Sequence, residues 1–117
     1  MQAVKAVQVT IVSGAALSGI ADLNFEQLVG VVMPAGWDAA ALSFQHAIDG
    51  STFGDVFTAS GEFTVPSADV AAARTLLLDT HATPGLRFVK VRSGLTAAPV
   101  NQTADRVITL LTRDMAD

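Results

Sequence analysis

Two histidines, His46 and His81, are the side chains best suited to proton transfer or metal binding near neutral pH, and they fall in different segments of the chain. His46 shares strand parity with Leu42 and Phe44, which places it at a strand end near the rim of a core. His81 follows Asp79-Thr80 in a stretch that reads as a surface turn. Neither sits in an HExxH, two-His-plus-carboxylate or EF-hand pattern. Asp49-Gly50-Ser51 sets a carboxylate beside a glycine, but Ala47 and Ile48 add no side-chain oxygens, so Asp49 and Gly50 are expected to make a turn. Ser13-Gly14 and Ser60-Gly61 lack the Gly-x-Ser-x-Gly elbow of a serine nucleophile, and Ser93-Gly94 ends a strand where that elbow would open a helix. The nine glycines are dispersed singly, so no phosphate-cradling loop is formed. Asp22, Glu26, Asp38, Asp49, Asp55, Glu62, Asp69 and Asp79 offer many carboxylates, yet nothing singles out a catalytic pair. The expectation is a protein that is not an enzyme and takes no cofactor or metal.

The polar residues that carry more information are cationic. In Leu86-Arg87-Phe88-Val89-Lys90-Val91-Arg92, alternation puts Arg87, Val89 and Val91 on one face and Phe88, Lys90 and Arg92 on the other. The valine face suits a core, and Arg87 at its open end would pair with a turn carboxylate such as Asp49 or Asp79. Phe88, Lys90 and Arg92 then form a basic, aromatic stripe able to contact an acidic partner, with Asn101 and Gln102 as further candidates for that contact. The same stripe, with its cations paired to this chain's own Glu62 or Asp69 on a neighbouring strand, would be an ordinary solvated face.

Those residues must be positioned by strands. Short apolar runs are separated by turn signals about every 8 to 12 residues, the rhythm of an all-β domain. Residues 4–12, 27–33, 42–47, 53–58, 63–65, 74–78, 86–93 and 106–112 read as about eight antiparallel strands. The four prolines fall between these runs, where a missing N–H does no harm. Residues 27–33 are apolar on both parities, as a strand covered on both faces would be. Residues 68–73 hold at most a turn of helix. Long connections around 34–41 and 96–104 suit Greek-key crossings, and a jelly-roll-like β-sandwich is expected over residues 1–113, a single domain, with 114–117 as a frayed tail.

Composition narrows the role. The 117 residues are 50% hydrophobic and 15% charged, with mean hydropathy +0.45, which excludes a disordered tail or a coiled coil. Seven Lys and Arg against eleven Asp and Glu give net charge −4, so no basic face for nucleic acid is expected. There is no cysteine to form disulfides or thiolate metal sites. The start of the chain does not read as a secretory signal, and no run approaches the roughly 20 apolar residues of a membrane helix.

A resemblance runs through residues 28–111. Val29-Gly30-Val31-Val32-Met33-Pro34-Ala35-Gly36-Trp37, Leu42-Ser43-Phe44-Gln45 and Asp49-Gly50-Ser51-Thr52-Phe53 occur in that order. Phe88-Val89-Lys90-Val91-Arg92-Ser93-Gly94 and Ala98-Pro99-Val100-Asn101-Gln102 follow. In this order they resemble small proteins encoded in the structural-gene clusters of tailed phages and prophages. That resemblance implies a virion component, made in the host cytoplasm and placed on the capsid exterior. It implies a decoration (cement) protein that binds the major capsid protein, as a homo-oligomer and most simply a trimer on a local symmetry axis. Residues 1–3 would then begin an arm reaching over a neighbour. The middle and late motifs also resemble, more loosely, discoidin-type carbohydrate-binding sandwiches. That likeness implies a glycan-binding module of a head fibre or tail tip, with Trp37 as its platform, although a sugar platform usually has several aromatics and this chain has no tyrosine and one tryptophan. Trp37 would otherwise plug the end of the sandwich. A head–tail connector or tail subunit belongs to the same structural class.

Overall fold

The computed structural model describes residues 4–24, 26–78 and 85–114. His81, Asp79, the start of the expected arm and the last three residues of the expected tail lie outside them. The described residues form twelve strands and no helix. In chain order these are β1 (Val4–Ile11), β2 (Ala21–Asp22), β3 (Gln27–Val32), β4 (Leu42–Ala47), β5 (Gly54–Asp55) and β6 (Phe57–Thr58). They continue with β7 (Gly61–Glu62), β8 (Thr64–Val65), β9 (Thr75–Leu77), β10 (Phe88–Leu95), β11 (Ala98–Pro99) and β12 (Arg106–Arg113). Residues 68–73, the one stretch with any helical character in the sequence, are turns.

Two antiparallel sheets make a jelly-roll-like sandwich. The first has the order β1-β12-β3-β9, the second runs β11-β10-β4-β5 with β2 added on β10 and β8 on β4, and β6 and β7 pair in a separate two-stranded ribbon. Most neighbours are distant in sequence, as crossover connections require. β12 lies between β1 and β3, and its ladder with β1 runs without a break from Val4–Arg113 to Ile11–Arg106. A register shift at Leu111/Thr112 interrupts the β12–β3 ladder.

Alternation determines which residues meet between the sheets. Val9, Ile11, Val31, Ile108 and Leu110 face inward from the first sheet, and Leu42, Phe44, Val89 and Val91 from the second; all are buried. Phe44 is fully buried against Phe63, with ring centroids 5.4 Å apart. Burying side chains of this size contributes roughly 1.5–3 kcal/mol each before the cost of ordering them.

The sequence expectation of about eight strands undercounts. The expected strand at 53–58 is two short pieces in different sheets, because the Val56 N–H turns aside to the carbonyl of Phe44. The expected strand at 63–65 shrinks to β8, because the Phe63 N–H donates to the Val56 carbonyl, and β7 before it is a further short strand. β2 and β11 are two residues each, too short to produce an alternation. β3 also differs from expectation. Its outward residue Val32 is only half-buried, so this strand is not covered on both faces.

Candidate interaction surface

The expected stripe on β10 resolves into three different environments. Arg92 is buried. Its guanidinium donates to Asp55, to Glu62 at 3.4 Å, to Thr96 Oγ1 at 2.8 Å and to Ser43 Oγ at 3.2 Å. The residue counted as a partner contact is therefore an internal cross-link. The outward side of β10 is not open here, because the 53–64 segment brings Asp55 and Glu62 over it. Lys90 is half-buried and holds its ammonium 4.5 Å from the centroid of Phe53. Phe88 is half-buried and lies under the guanidinium of Arg87, 4.7 Å from its ring centroid. Arg87 pairs with Asp22 at 2.7 Å, neither of the carboxylates expected from sequence. Hydrogen bonding from Arg87, then the Asn24 N–H, holds the Asp22 carboxyl below its usual range.

Gln102 is likewise an interior residue, fully buried where a contact surface was expected. Its Oε1 accepts from the Asp38 N–H (2.8 Å) and Arg106 Nε (3.0 Å), and its Nε2 donates to the Asp38 carbonyl (3.0 Å) and Ser93 Oγ (2.8 Å). The side-chain amide is saturated, and it ties the 96–105 connection to the 34–41 connection. Asn101 beside it is exposed. Alternation rules apply to strands, and these two residues lie in a loop, so sequence carried no signal for which of them points inward.

Trp37 packs against the core and donates from Nε1 to the Ala40 carbonyl at 3.3 Å. It is not a free-standing platform. Asp49 and Gly50 sit in the connection between β4 and β5. Asp49 Oδ1 accepts from the N–H groups of Ser51 and Thr52, both at 2.9 Å, and Gly50 has φ +79°. The Thr52 N–H first, then that of Ser51, keeps the Asp49 carboxyl below its ordinary range. His46, Ala47, Ile48, Asp49 and Thr52 line a shallow open depression beside this turn. His46 Nε2 is buried there without a hydrogen-bond partner among the described residues, and Asp49 is already engaged by backbone. No cluster of three or more His, Cys, Asp or Glu side chains able to hold a metal occurs among the described residues.

The surface that alternation did not single out is the outward face of the first sheet. Val4 (69% exposed), Val107 (45%) and Leu77 (84%) stand out from β1, β12 and β9. Leu111 and Val32 are half-buried between them. Gly30 keeps this face flat, because a Cβ there would lie 3.3 Å from Leu111 Cδ1 and 3.0 Å from the Leu76 carbonyl. Between the apolar residues stand Ala6, Gln8, Thr10, Thr75 and Thr109, with Gln8 and Thr109 hydrogen-bonded to each other at 3.4 Å. Among the described residues of these four strands, the only charged side chain on this parity is Arg113 at one corner, donating to Gln27 at 3.1 Å. The outward side of an antiparallel sheet in water is normally polar, so Val4, Leu77 and Val107 exposed among neutral side chains make this face a candidate contact surface. Its signal in the sequence is the double-parity apolar pattern of residues 27–33, a pattern that a strand covered on both faces within one chain would share.

No known protein family matches this chain, and no curated protein does. Among solved structures, the crystal structure of the Yersinia pseudotuberculosis-derived mitogen aligns over 100% of this chain and 90% of its own, at 13% identity and a TM-score of 0.44. A likeness that distant bears on neither ligand nor partner.

Proposed function

We propose that this chain is a non-enzymatic structural protein of a tailed-phage virion, a decoration protein that binds the major capsid protein lattice from outside and stabilises it. The observation that carries the reading is the outward face of the first sheet, a nearly charge-free surface with Val4, Leu77 and Val107 exposed. A lattice partner of matching flatness would bury these side chains at roughly 25 cal/mol per Å² of apolar area, an interaction needing no catalytic group. The ordered motifs from Val29 to Gln102 support the same role. The buried Arg92 and Gln102 networks support it differently, since they engage inside the chain two polar side chains that would otherwise be free to meet a partner.

The test uses empty capsids assembled from the coat protein encoded in the same gene cluster. Leu77→Asp and Val107→Asp should leave the thermal melt of the free protein within a few degrees of wild type. Each should weaken capsid binding by about tenfold or more, the loss expected when an apolar anchor is replaced by a charge at a desolvated contact. Full occupancy by both variants, with normal melts, would remove this face from the contact. A copy number per virion fixed at a single ring, instead of scaling with the coat protein, would identify a connector or tail subunit.

A further inference from the structure

The first sheet ends on one side in an eight-residue strand, β1, which among the described residues has a ladder with β12 alone. Its hydrogen-bonding direction can be read from one contact. The Thr10 carbonyl accepts from the Gly19 N–H at 3.3 Å, on the side of β1 away from β12. In an antiparallel strand the N–H and C=O of one residue point the same way and successive residues alternate. The backbone groups of Gln8, Ala6 and Val4 therefore face the open side with those of Thr10, while Lys5, Val7 and Val9 serve the β12 ladder. Among the described residues, no backbone bond reaches the outward groups of Val4, Ala6 or Gln8. Their side chains are exposed as well.

Edges of this kind are ordinarily guarded by proline, an outward charge, a bulge or a covering loop. β1 has no proline, its ladder is unbulged, and among the described residues cover begins only at Thr10. Its one charge, Lys5, is neutralised by Glu26 at 2.6 Å, and Glu26 also accepts from the buried hydroxyl of Thr112 at 2.7 Å.

We infer that the open edge of β1 is completed by the β1 edge of a second copy of this chain, paired antiparallel about a two-fold axis through Ala6. The register follows from the outward groups. Ala6 meets Ala6 of the second copy, and Val4 meets its Gln8, with both N–H···O bonds of each pair supplied by backbone that is otherwise unpaired. A centre at Gln8 would call on the Thr10 carbonyl, which Gly19 already occupies. On the outward parity this register sets Val4 beside Gln8 and alanine against alanine, with no like charges opposed. On the other parity the aliphatic stem of each Lys5 lies across from Val7. The two first sheets become one continuous sheet, and their apolar outward faces join into a surface twice as wide. The pairing stands apart from whatever covers that face.

The test exploits the direction of the Ala6 N–H. Ala6→Pro removes an N–H that makes no bond within the chain, so the fold should persist while the edge is broken. Sedimentation equilibrium of the wild type at tens of micromolar should give a dimer, and Ala6→Pro should raise its dissociation constant at least about tenfold, for two hydrogen bonds lost across the axis. Amide exchange in the wild type provides a reading independent of any variant. The amides of Ala6 and Gln8 should slow as concentration rises through the dimer range, while those of Val7 and Val9 stay protected throughout. A wild type that remains monomeric, a trimer, a dimer unaffected by a folded Ala6→Pro, or Ala6 exchange independent of concentration would each overturn the inference.

Discussion

Arg92 on β10 reaches across β4 to the carboxylate of Asp55 on β5, joining two strands that are not neighbours through a side chain only 9% exposed. Glu62, 15% exposed, closes on the same group and also takes the Thr96 hydroxyl at 2.6 Å. One side chain thus fixes β10, β5, β7 and the turn after β10 to a common point.

Removing Arg92 leaves two partly buried carboxylates facing each other. Arg92→Met, which keeps most of the volume, should cost about 3–5 kcal/mol, the range for breaking a buried ion pair from one side. Lys90→Met loses a half-exposed cation–π contact with Phe53 and should cost about 0.5–1 kcal/mol. Urea unfolding of both variants measures the difference. Equal losses would mean that Arg92 is solvated in solution and the stripe reading of β10 holds after all.

Gly94 should be the least replaceable glycine of the chain's second sheet. It adopts φ +95°, and a Cβ would lie 2.5 Å from the Ala98 carbonyl oxygen and 2.7 Å from the Val100 nitrogen, backbone atoms that cannot swing aside. Gly94→Ala should cost more than about 2 kcal/mol, strain plus a forced shift of the β10–β11 turn. Gly50→Ala meets only the Phe88 ring at 3.6 Å and should show the strain alone, about 1 kcal/mol. Chemical denaturation ranks the two, and a Gly50 penalty matching that of Gly94 would contradict the packing.

Acid should unfold the protein through its carboxylates. Arg87 lowers Asp22, Lys5 lowers Glu26, Thr103 lowers Asp38, the Thr52 N–H lowers Asp49 and Arg92 lowers Asp55. Each group is more acidic folded than unfolded, so its contribution is complete above the ordinary carboxylate range. It is lost as pH falls below about 4 and through the folded value. Lys5 is shifted upward by Glu26, so its share persists until pH climbs past about 10, whereas Arg87, raised by Asp22, keeps its charge and its share throughout that range. The melting temperature measured against pH should therefore drop steeply only below about pH 4. A main loss centred near neutrality would show that these pairs do not govern acid stability.

The long strands were legible in the sequence because each carries a two-residue period against one core. β4 has the expected boundaries, and β1 and β12 come within a residue of theirs. Phe44, Val89 and Val91 were placed inward by the same alternation. What was not legible depended on contacts between distant segments. Arg92 has the outward parity expected of it and is still buried, because Asp55 and Glu62, 37 and 30 residues away, fold over it. Gln102 lies in a loop, where no periodicity distinguishes it from exposed Asn101. The apolar outward face was visible only as excess hydrophobicity in residues 27–33, since its other members come from β1, β9 and β12 and meet only in the sheet.

The place of β12 between β1 and β3 has a consequence in time. Until Arg106–Arg113 leaves the ribosome, β1 and β3 have no common neighbour, and the inward faces of Val9, Ile11, Leu28 and Val31 have no sheet in which to close. Every chain in synthesis therefore waits with two apolar strands and an unguarded edge in solution. Non-local pairing of this kind forms in milliseconds to seconds, far slower than a helix of similar length. A stop codon or a protease cut before residue 106 would leave a fragment that cannot complete its first sheet, with those strands open to one another on neighbouring chains.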